Sequence, residues 1–468
     1  MMRRSKGRSA GLQASTYRHK GRPGFSTFML DLLPSSTFQP SPPWGRGWPA
    51  AGVFFSRGGS GEGVSSPHGE LNPLTPGPSP PRGRGENVQA ASRPKGRHYA
   101  NVSQRLAVVL VGFAVFSSGC RRRPAPPKAY AAFVVNKQSS TLAEVNLAKF
   151  RVLATVAVAA RPERVLVRPQ REELWVVSAS GEISVVEFPG LRVVRKLRIG
   201  EGARDLAFSS HGRRAFILEP AKGQIVFIDA ENYKETTRLN LGTPLTDLAL
   251  TPDGNTLVAS SSATNRLFFV KADDQKVLGS VEVGKAPGPM VILPNSSKVF
   301  VCDTEEGAIS AADLTTQQLL SNIEIGIRPG AMVLKPDGGE LFIFEYEGTS
   351  MVIVDTDQDN VEQNYPTGHK PVAGVFQQNP LVLYIANAGD GSVMALDVQN
   401  RTLLAAVHLG IEPRAMALTP DERFLVLADT AASTLAVLQT NPATLLTTFP
   451  VGADPVDVVV PGWLLEGQ

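Results

Sequence analysis

The feature that most constrains this 468-residue chain is a glycine that returns every 42 residues from residue 200 onward. It stands at seven positions, which are Gly200, Gly242, Gly284, Gly326, Gly368, Gly410 and Gly452. A proline follows three residues after the last five of these glycines. A fixed period of this length is the mark of a stacked or circular repeat rather than of one irregular domain.

Each repeat contains four short apolar or alternating segments, separated by turn residues. The unit that opens at Gly410 contains AMALT, FLVLAD, TLAVLQ and LLTTFPV, bounded by Pro, Asp, Asn and Ser/Thr. Four strands in about 42 residues are typical of one blade of a β-propeller. One blade cannot bury its own apolar faces, so the blades are expected to close into a ring.

The two ends of the repeat array predict how the ring closes. Residues 129–158 align with the second, third and fourth strands of a later blade, and seven units follow, the first opening at Ala159. After Gly452 there is room for one strand only, PVDVVV. Pairing the first strand with the last would satisfy both loose edges. We therefore predict an all-β propeller of four-stranded blades, eight by repeat count, with seven as the alternative if one weak unit forms no blade.

Charge divides the chain into a basic tail and an acidic ring. Residues 1–123 carry 18 Lys/Arg against 4 Asp/Glu, and the remainder has a net charge of −10. An acidic ring repels phosphate, so no nucleic-acid partner is expected. Residues 1–100 are rich in Gly, Pro, Ser and Arg, which predicts a disordered tail. Residues 72–86 resemble translated bacterial intergenic repeats, which indicates a start assigned too far upstream, the true one lying near Val102; a real basic tail is the alternative.

Residues 101–120 read as an export signal. A basic Arg105 precedes the eleven apolar residues LAVVLVGFAVF, which are too few to span a bilayer. The following SSGC resembles a bacterial lipobox and implies lipidation of Cys120, although Ser117 stands where leucine is usual. Arg121 favours the outer membrane, and residues 121–128 form a Pro-stiffened tether. The predicted location is a membrane-anchored lipoprotein facing the periplasm or the cell surface; ordinary cleavage with a free Cys120 is the alternative.

The repeat resembles the YVTN-type family of exported bacterial β-propellers. The resemblance rests on FVVN at residues 133–136, YIAN at 384–387, SVMALDV, and the G-x-x-P…TPDG spacing, and it covers residues 129–461, leaving 462–468 as a tail. It implies the fold and an envelope location but no particular activity. A recurrent acid at the end of the third strand, as in Asp313 and Asp397, predicts a turn cap. Cys302, inside VFVCD, is expected to be a buried small side chain.

Loops between blades and loops between second and third strands share one face of a propeller and surround the mouth of its channel. Their residues differ from blade to blade, as a specific site requires, although exposed loops are polar in any case. Arg164, Arg204 and Arg414 are the residues expected to clamp a carboxylate or phosphate. The full set of candidate ligand residues is Arg164, Arg204, Asp205, Asp247, Arg328, His369, Lys370 and Arg414.

No catalytic motif or metal-ligand spacing occurs in the sequence. We therefore expect a monomeric binding or scaffolding module without a cofactor, whose partner is an envelope protein or a small anionic ligand. A propeller enzyme of lactonase or hydrolase type is one alternative. An accessory subunit of an envelope redox or secretion assembly is another.

Overall fold

A computed structural model describes residues 129–410 and 412–465. The predictions for the tail, the export signal, Cys120 and the tether lie outside these residues. Within them the chain is all-β, and no helix is present that could cross a bilayer.

Eight four-stranded antiparallel sheets are arranged as the blades of a propeller. The predicted count of eight is confirmed, and the alternative of seven is wrong. Blades 1 to 7 are numbered here along the chain, and each runs from an innermost first strand to an outermost fourth. The eighth, called the closing blade, takes its innermost strand from the end of the chain and the other three from the beginning.

The closing blade and blades 1 to 3 contain these strands: β1 Ala131–Asn136, β2 Thr141–Asn146, β3 Arg151–Ala157; β4 Pro162–Val167, β5 Glu173–Ser178, β6 Glu182–Glu187, β7 Arg192–Arg198; β8 Asp205–Phe208, β9 Arg214–Glu219, β10 Gln224–Asp229, β11 Lys234–Asn240; β12 Asp247–Leu250, β13 Thr256–Ser261, β14 Arg266–Lys271 and β15 Lys276–Glu282.

Blades 4 to 7 and the last strand follow: β16 Pro287–Ile292, β17 Lys298–Asp303, β18 Ala308–Asp313, β19 Leu319–Glu324; β20 Pro329–Leu334, β21 Glu340–Glu345, β22 Ser350–Asp355, β23 Asn360–Pro366; β24 Pro371–Gln377, β25 Val382–Asn387, β26 Ser392–Asp397, β27 Thr402–His408; β28 Pro413–Leu418, β29 Phe424–Asp429, β30 Thr434–Thr440, β31 Ala443–Pro450; and β32 Pro455–Val459.

The ring closes as predicted, through antiparallel pairing of β1 with β32. Phe133 lies opposite Val459 and Val134 lies opposite Val458. This pairing gives β1 a hydrogen-bonded strand on both of its edges, and it makes β32 the innermost strand of the closing blade.

The chain continues past β32 and strengthens the closure. Trp463 stacks on Phe188 of blade 1, with ring centroids 5.0 Å apart, and meets Phe133 edge-on at 5.6 Å. Its carbonyl accepts a hydrogen bond from the Ala131 amide at 3.1 Å, and the Leu465 amide donates to the Ala129 carbonyl at 2.8 Å. Trp463 and Leu465 therefore join the end of β32 to β1 and to blade 1.

Packing between blades supplies the core. Eight clusters of buried aliphatic and aromatic side chains each lie between two adjacent blades. Hydrogen bonds between adjacent blades add to these apolar clusters. In several of them the first residue of a second strand bonds to a side chain of the next blade. Tyr233 donates to Glu173 at 2.6 Å, and Lys298 donates to Asp359 at 2.6 Å.

The recurrent glycine has two structural reasons. At Gly284 a Cβ atom would lie 2.4 Å from the Asp303 carboxyl carbon, so any side chain would displace the polar residue that ends the second strand. At Gly242 nothing is close, but φ is +77°, a conformation that costs little only for glycine. Close approach or a left-handed backbone therefore accounts for the period at these positions.

Two further predictions are confirmed. The Asp313 carboxylate accepts the amides of Thr315 at 2.8 Å and Thr316 at 2.6 Å, so the recurrent acid is a turn cap. The Cys302 side chain is fully buried within the cluster between blades 4 and 5.

We predict that Trp463→Ala lowers the free energy of unfolding by about 2–3 kcal/mol, because two aromatic contacts at the closure are lost. Chemical denaturation measures the change. Leu464→Ala is the control, since Leu464 is 50% exposed and should change stability by no more than about 0.5 kcal/mol. Equal effects of the two variants would show that Trp463 does not hold the closure.

Candidate functional site: a charged arc on the inner wall

The residue five places after the opening residue of each repeat, called position five here, lies in the innermost strand of every blade. Around the ring, from the closing blade onward, this position is occupied by Asp457, Arg164, Asp205, Asp247, Pro289, Ala331, Ala373 and Ala415. Four consecutive blades carry a charge there, and the four opposite blades carry proline or alanine. We call the first four residues the charged arc.

The arc brings together three of the residues that sequence analysis proposed as ligands. The Arg164 Nη1 atom donates to Asp205 Oδ1 at 2.6 Å, which joins blade 1 to blade 2. Asp247, in blade 3, and Asp457, in the closing blade, lie near enough to influence the pKa of Arg164. Burial lowers that pKa, but the three carboxylates outweigh burial and raise it overall.

Two aspartates of the arc hold adjacent blades together through backbone amides. Asp457 Oδ2 accepts the Val165 amide of blade 1 at 2.9 Å. Asp247 Oδ2 accepts the Met290 amide of blade 4 at 3.1 Å, while its Oδ1 accepts the Leu248 amide at 2.9 Å. These carboxylates are therefore fixed in place by the inner strands before any ligand is considered.

The local sequence explains the short inner strands of blades 2 and 3. In the other six blades the inner strand begins at a proline, and in each of them a register shift lies next to that proline in the pairing with the second strand. In blades 2 and 3 it begins two residues later, at Asp205 and Asp247. Each of these aspartates accepts the amide of the following residue, at 2.7 and 2.9 Å. The aspartate thus caps the start of its own strand.

The arc holds more carboxylates than its single guanidinium can balance. Burial raises the pKa of Asp247 to about 7, the negative charge of Asp205 adds to the rise, and hydrogen bonds and Arg164 oppose it. Burial also raises the pKa of Asp457 to about 6, against the attraction of Arg164. Near neutral pH the arc therefore carries a negative charge that a nearby cation or hydrogen-bond donor would stabilise.

The other predicted residues lie on the same face of the ring but do not join the arc. Arg204 is exposed, and Arg414 forms only a loose ion pair with Glu412 at 3.8 Å. The predicted clamp of Arg164, Arg204 and Arg414 on an anion stays a prediction, with Arg164 engaged by Asp205.

Three more predicted residues lie in loops between blades. Arg328 lies 4.5 Å from the ring centroid of Tyr346 and lines a surface cavity of about 590 Å³ together with Glu305 and Glu306. His369 and Lys370 lie in the loop between blades 5 and 6. The exposed His369 donates its amide to Asp390 at 2.9 Å, and Lys370 pairs with Glu347 at 3.6 Å.

Asp303 is a buried carboxylate on this face that was not among the predicted ligand residues. Asp303 ends the second strand of blade 4 and is fully buried; its Oδ2 accepts the Ser310 hydroxyl at 2.7 Å, and its Oδ1 has no hydrogen-bond partner. Burial raises its pKa to about 7, and Glu306 adds to the rise. The sequence does carry a signal for this site: the last residue of the second strand is polar in every blade, as in Asn136 and Asn387.

Within the described residues, no group of three or more His, Cys, Asp or Glu side chains is arranged to hold a metal ion. The arc can attract a cation, accept hydrogen bonds, and take up or release protons near neutral pH.

Comparison with known proteins shows the fold alone. No protein-family model matches the chain, and no curated protein matches its sequence. The dihydro-heme d1 dehydrogenase NirN, solved in complex with DHE, is similar at 13% identity and a TM-score of 0.63, with 71% of this chain and 75% of that chain covered. A functionally unknown protein from Desulfotomaculum acetoxidans is similar at 12% identity and a TM-score of 0.50, with 71% and 99% covered.

We predict that the raised pKa of Asp247 makes the protein less stable as pH rises. Above the ordinary pKa of 3.8 the unfolded state releases a proton that the folded state still holds. The stability that this proton contributes is fully present at low pH and is lost as pH rises from 3.8 to about 7. Asp247→Asn should remove roughly 2–4 kcal/mol of this pH dependence.

Denaturation by urea at a series of pH values from about 4 to about 8 measures this pH dependence of the free energy of unfolding. Asp274→Asn is the control, because Asp274 lies in an exposed turn of the same blade and its side chain is 58% exposed. Identical pH profiles for wild type and Asp247→Asn would contradict the buried titration.

Proposed function

We propose that this protein is an exported, lipid-anchored β-propeller that serves as a binding module at the cell envelope, and that its ligand binds at the charged arc. The observation that carries the proposal is the asymmetry of the inner wall. The repeat places one equivalent position in all eight blades, yet the charges occupy four consecutive ones. A purely structural requirement of the repeat would act on every blade alike.

The ligand class follows from the charge of the arc. Three carboxylates face one guanidinium, and the ring as a whole has a net charge of −10 over residues 124–468. A small molecule with a protonated amine or several hydrogen-bond donors would stabilise the ionised aspartates, whereas an anion would add to the repulsion. The exposed Arg204 and Arg414 are where an anionic ligand would bind instead.

The envelope location is supported by the sequence before the ring. A basic flank, a short apolar run and SSGC precede Arg121, and the repeat resembles the exported YVTN-type propellers. Lipidation of Cys120 would anchor the ring to a membrane through the tether of residues 121–128. Fractionation of the native host, with mass analysis of the N-terminal peptide, tests this part; recovery of an unmodified soluble protein would contradict it.

We predict that calorimetry of the purified full chain detects binding of a cationic ligand from a panel of diamines and amino sugars. The panel also contains anionic metabolites and peptidoglycan fragments. Asp247→Asn should weaken that binding about tenfold or more, because a charge-assisted hydrogen bond is lost.

Asp274→Asn, in the exposed turn of the same blade, should leave affinity unchanged. Heat from anionic ligands alone, unaffected by Asp247→Asn, would place binding on the loop arginines and contradict the arc as the site. Turnover of a lactone in the same preparation would favour the hydrolase alternative.

A further inference from the structure

Four exposed leucines lie side by side on the rim of blades 6 and 7. Leu403 and Leu404 are 49% and 56% exposed, and Leu445 and Leu446 are 38% and 41% exposed. Each pair follows shortly after the turn between the third and fourth strands of its blade. We call the face that carries these turns the turn face; it is opposite the mouth where the sequence-predicted ligand residues lie.

The outermost strands of this part of the rim contain almost no charge. β27 (TLLAAVH), β31 (ATLLTTFP) and β3 (RVLATVA) belong to three consecutive blades, and together they contain one arginine and one histidine. The neighbouring outer strands differ: RVVRKLR of blade 1 has four basic residues, and NVEQNYP of blade 5 has one glutamate. An uncharged outer edge is a surface that soluble proteins usually protect with charges, which suggests that here it is covered.

The ring begins beside this surface. Ala131 pairs with Asn146, the last residue of β2, so Ala129 lies at the turn face of the closing blade. Only residues 121–128 separate Ala129 from Cys120. Eight residues span at most about 28 Å when fully extended, so a lipid on Cys120 would hold the membrane within about 30 Å of Ala129.

Basic side chains are exposed on the turn face of the closing blade and of blade 1. Lys149 and Arg151 are exposed at the turn of the closing blade, and Arg192 is exposed at the start of the outer strand of blade 1, where it pairs with Glu187. The tether itself contains RRR and a lysine. Basic groups next to exposed leucines suit a bilayer that carries anionic headgroups.

We propose that the rim formed by β27, β31 and β3, with Leu403, Leu404, Leu445 and Leu446 at its turn-face end, rests against a lipid bilayer containing anionic lipids. The inference rests on the proposed membrane anchor. It goes beyond that anchor by fixing how the ring is oriented: one sector of the rim contacts the bilayer, and the ring is tilted so that its turn face lies nearer to the bilayer than its channel mouth.

Depth-dependent quenching tests the proposal on the full chain as the cell processes it. Leu446→Cys and Leu320→Cys are each labelled with an environment-sensitive fluorophore and reconstituted into vesicles that contain anionic lipids and brominated acyl chains. Leu320 is the matched control: it occupies the same bulged position in β19, is 49% exposed, and belongs to the blade opposite the closing blade. Cys302 is fully buried and its pKa is raised by burial, so it should not react with the label.

We expect the label at position 446 to be quenched at least threefold more strongly than the label at position 320. Flotation of the same samples reports separately whether the protein is anchored. Flotation without quenching at position 446 would overturn the rim contact while leaving the anchor intact. Quenching at position 446 without a lipid on Cys120 would support the contact and contradict the anchor. Equal quenching at both positions, or burial of position 446 by a second protein without lipid, would overturn the inference.

Discussion

The hydrogen bonds between β1 and β32 are the constraint on which the rest of this structure depends. Every other blade is continuous in sequence, so its four strands meet through short turns. The closing blade must bring together residues more than 300 positions apart. Without that pairing the inner edge of β1 would stay open, and the two apolar interfaces of the closing blade would lose Val458 and the partly buried Val456 and Val459.

Closure also builds the candidate site. Asp457 enters the charged arc only because β32 occupies the innermost place of the closing blade, next to β4. Its carboxylate then accepts the amide of Val165 and lies within electrostatic reach of Arg164. The most buried part of the arc therefore depends on the same strand that seals the ring, and loss of closure would remove stability and site together.

Much of this architecture could be predicted from the sequence, because the repeat reports backbone geometry. Glycine every 42 residues, turn acids such as Asp313, and three spare strands at the start with one at the end fix the blade number and the closure without any knowledge of side-chain contacts. The candidate site was harder to predict from the sequence. Arg164, Asp205 and Asp247 could be selected as polar residues of the mouth, but their grouping into one arc became visible only when position five was compared around a closed ring.

Other features could not be predicted, because they depend on burial and neighbours rather than on local pattern. The raised pKa values of Asp247 and Asp303 come from desolvation in the assembled ring. The packing of Trp463 on Phe188 joins two segments with no repeat relation. Leu403 and Leu404 appear as an ordinary apolar pair in the sequence and become an exposed surface only because they lie on an outermost strand.

Hydrogen exchange of the intact chain, followed by mass spectrometry, tests the closure most directly. The account predicts that peptides covering β1 and β32 are protected to the same degree as those covering the inner strands of blades 4 to 7, and that they open only with the whole ring. Rapid exchange of β32 while the other inner strands stay protected would contradict it, since the ring would then be stable without its closing strand.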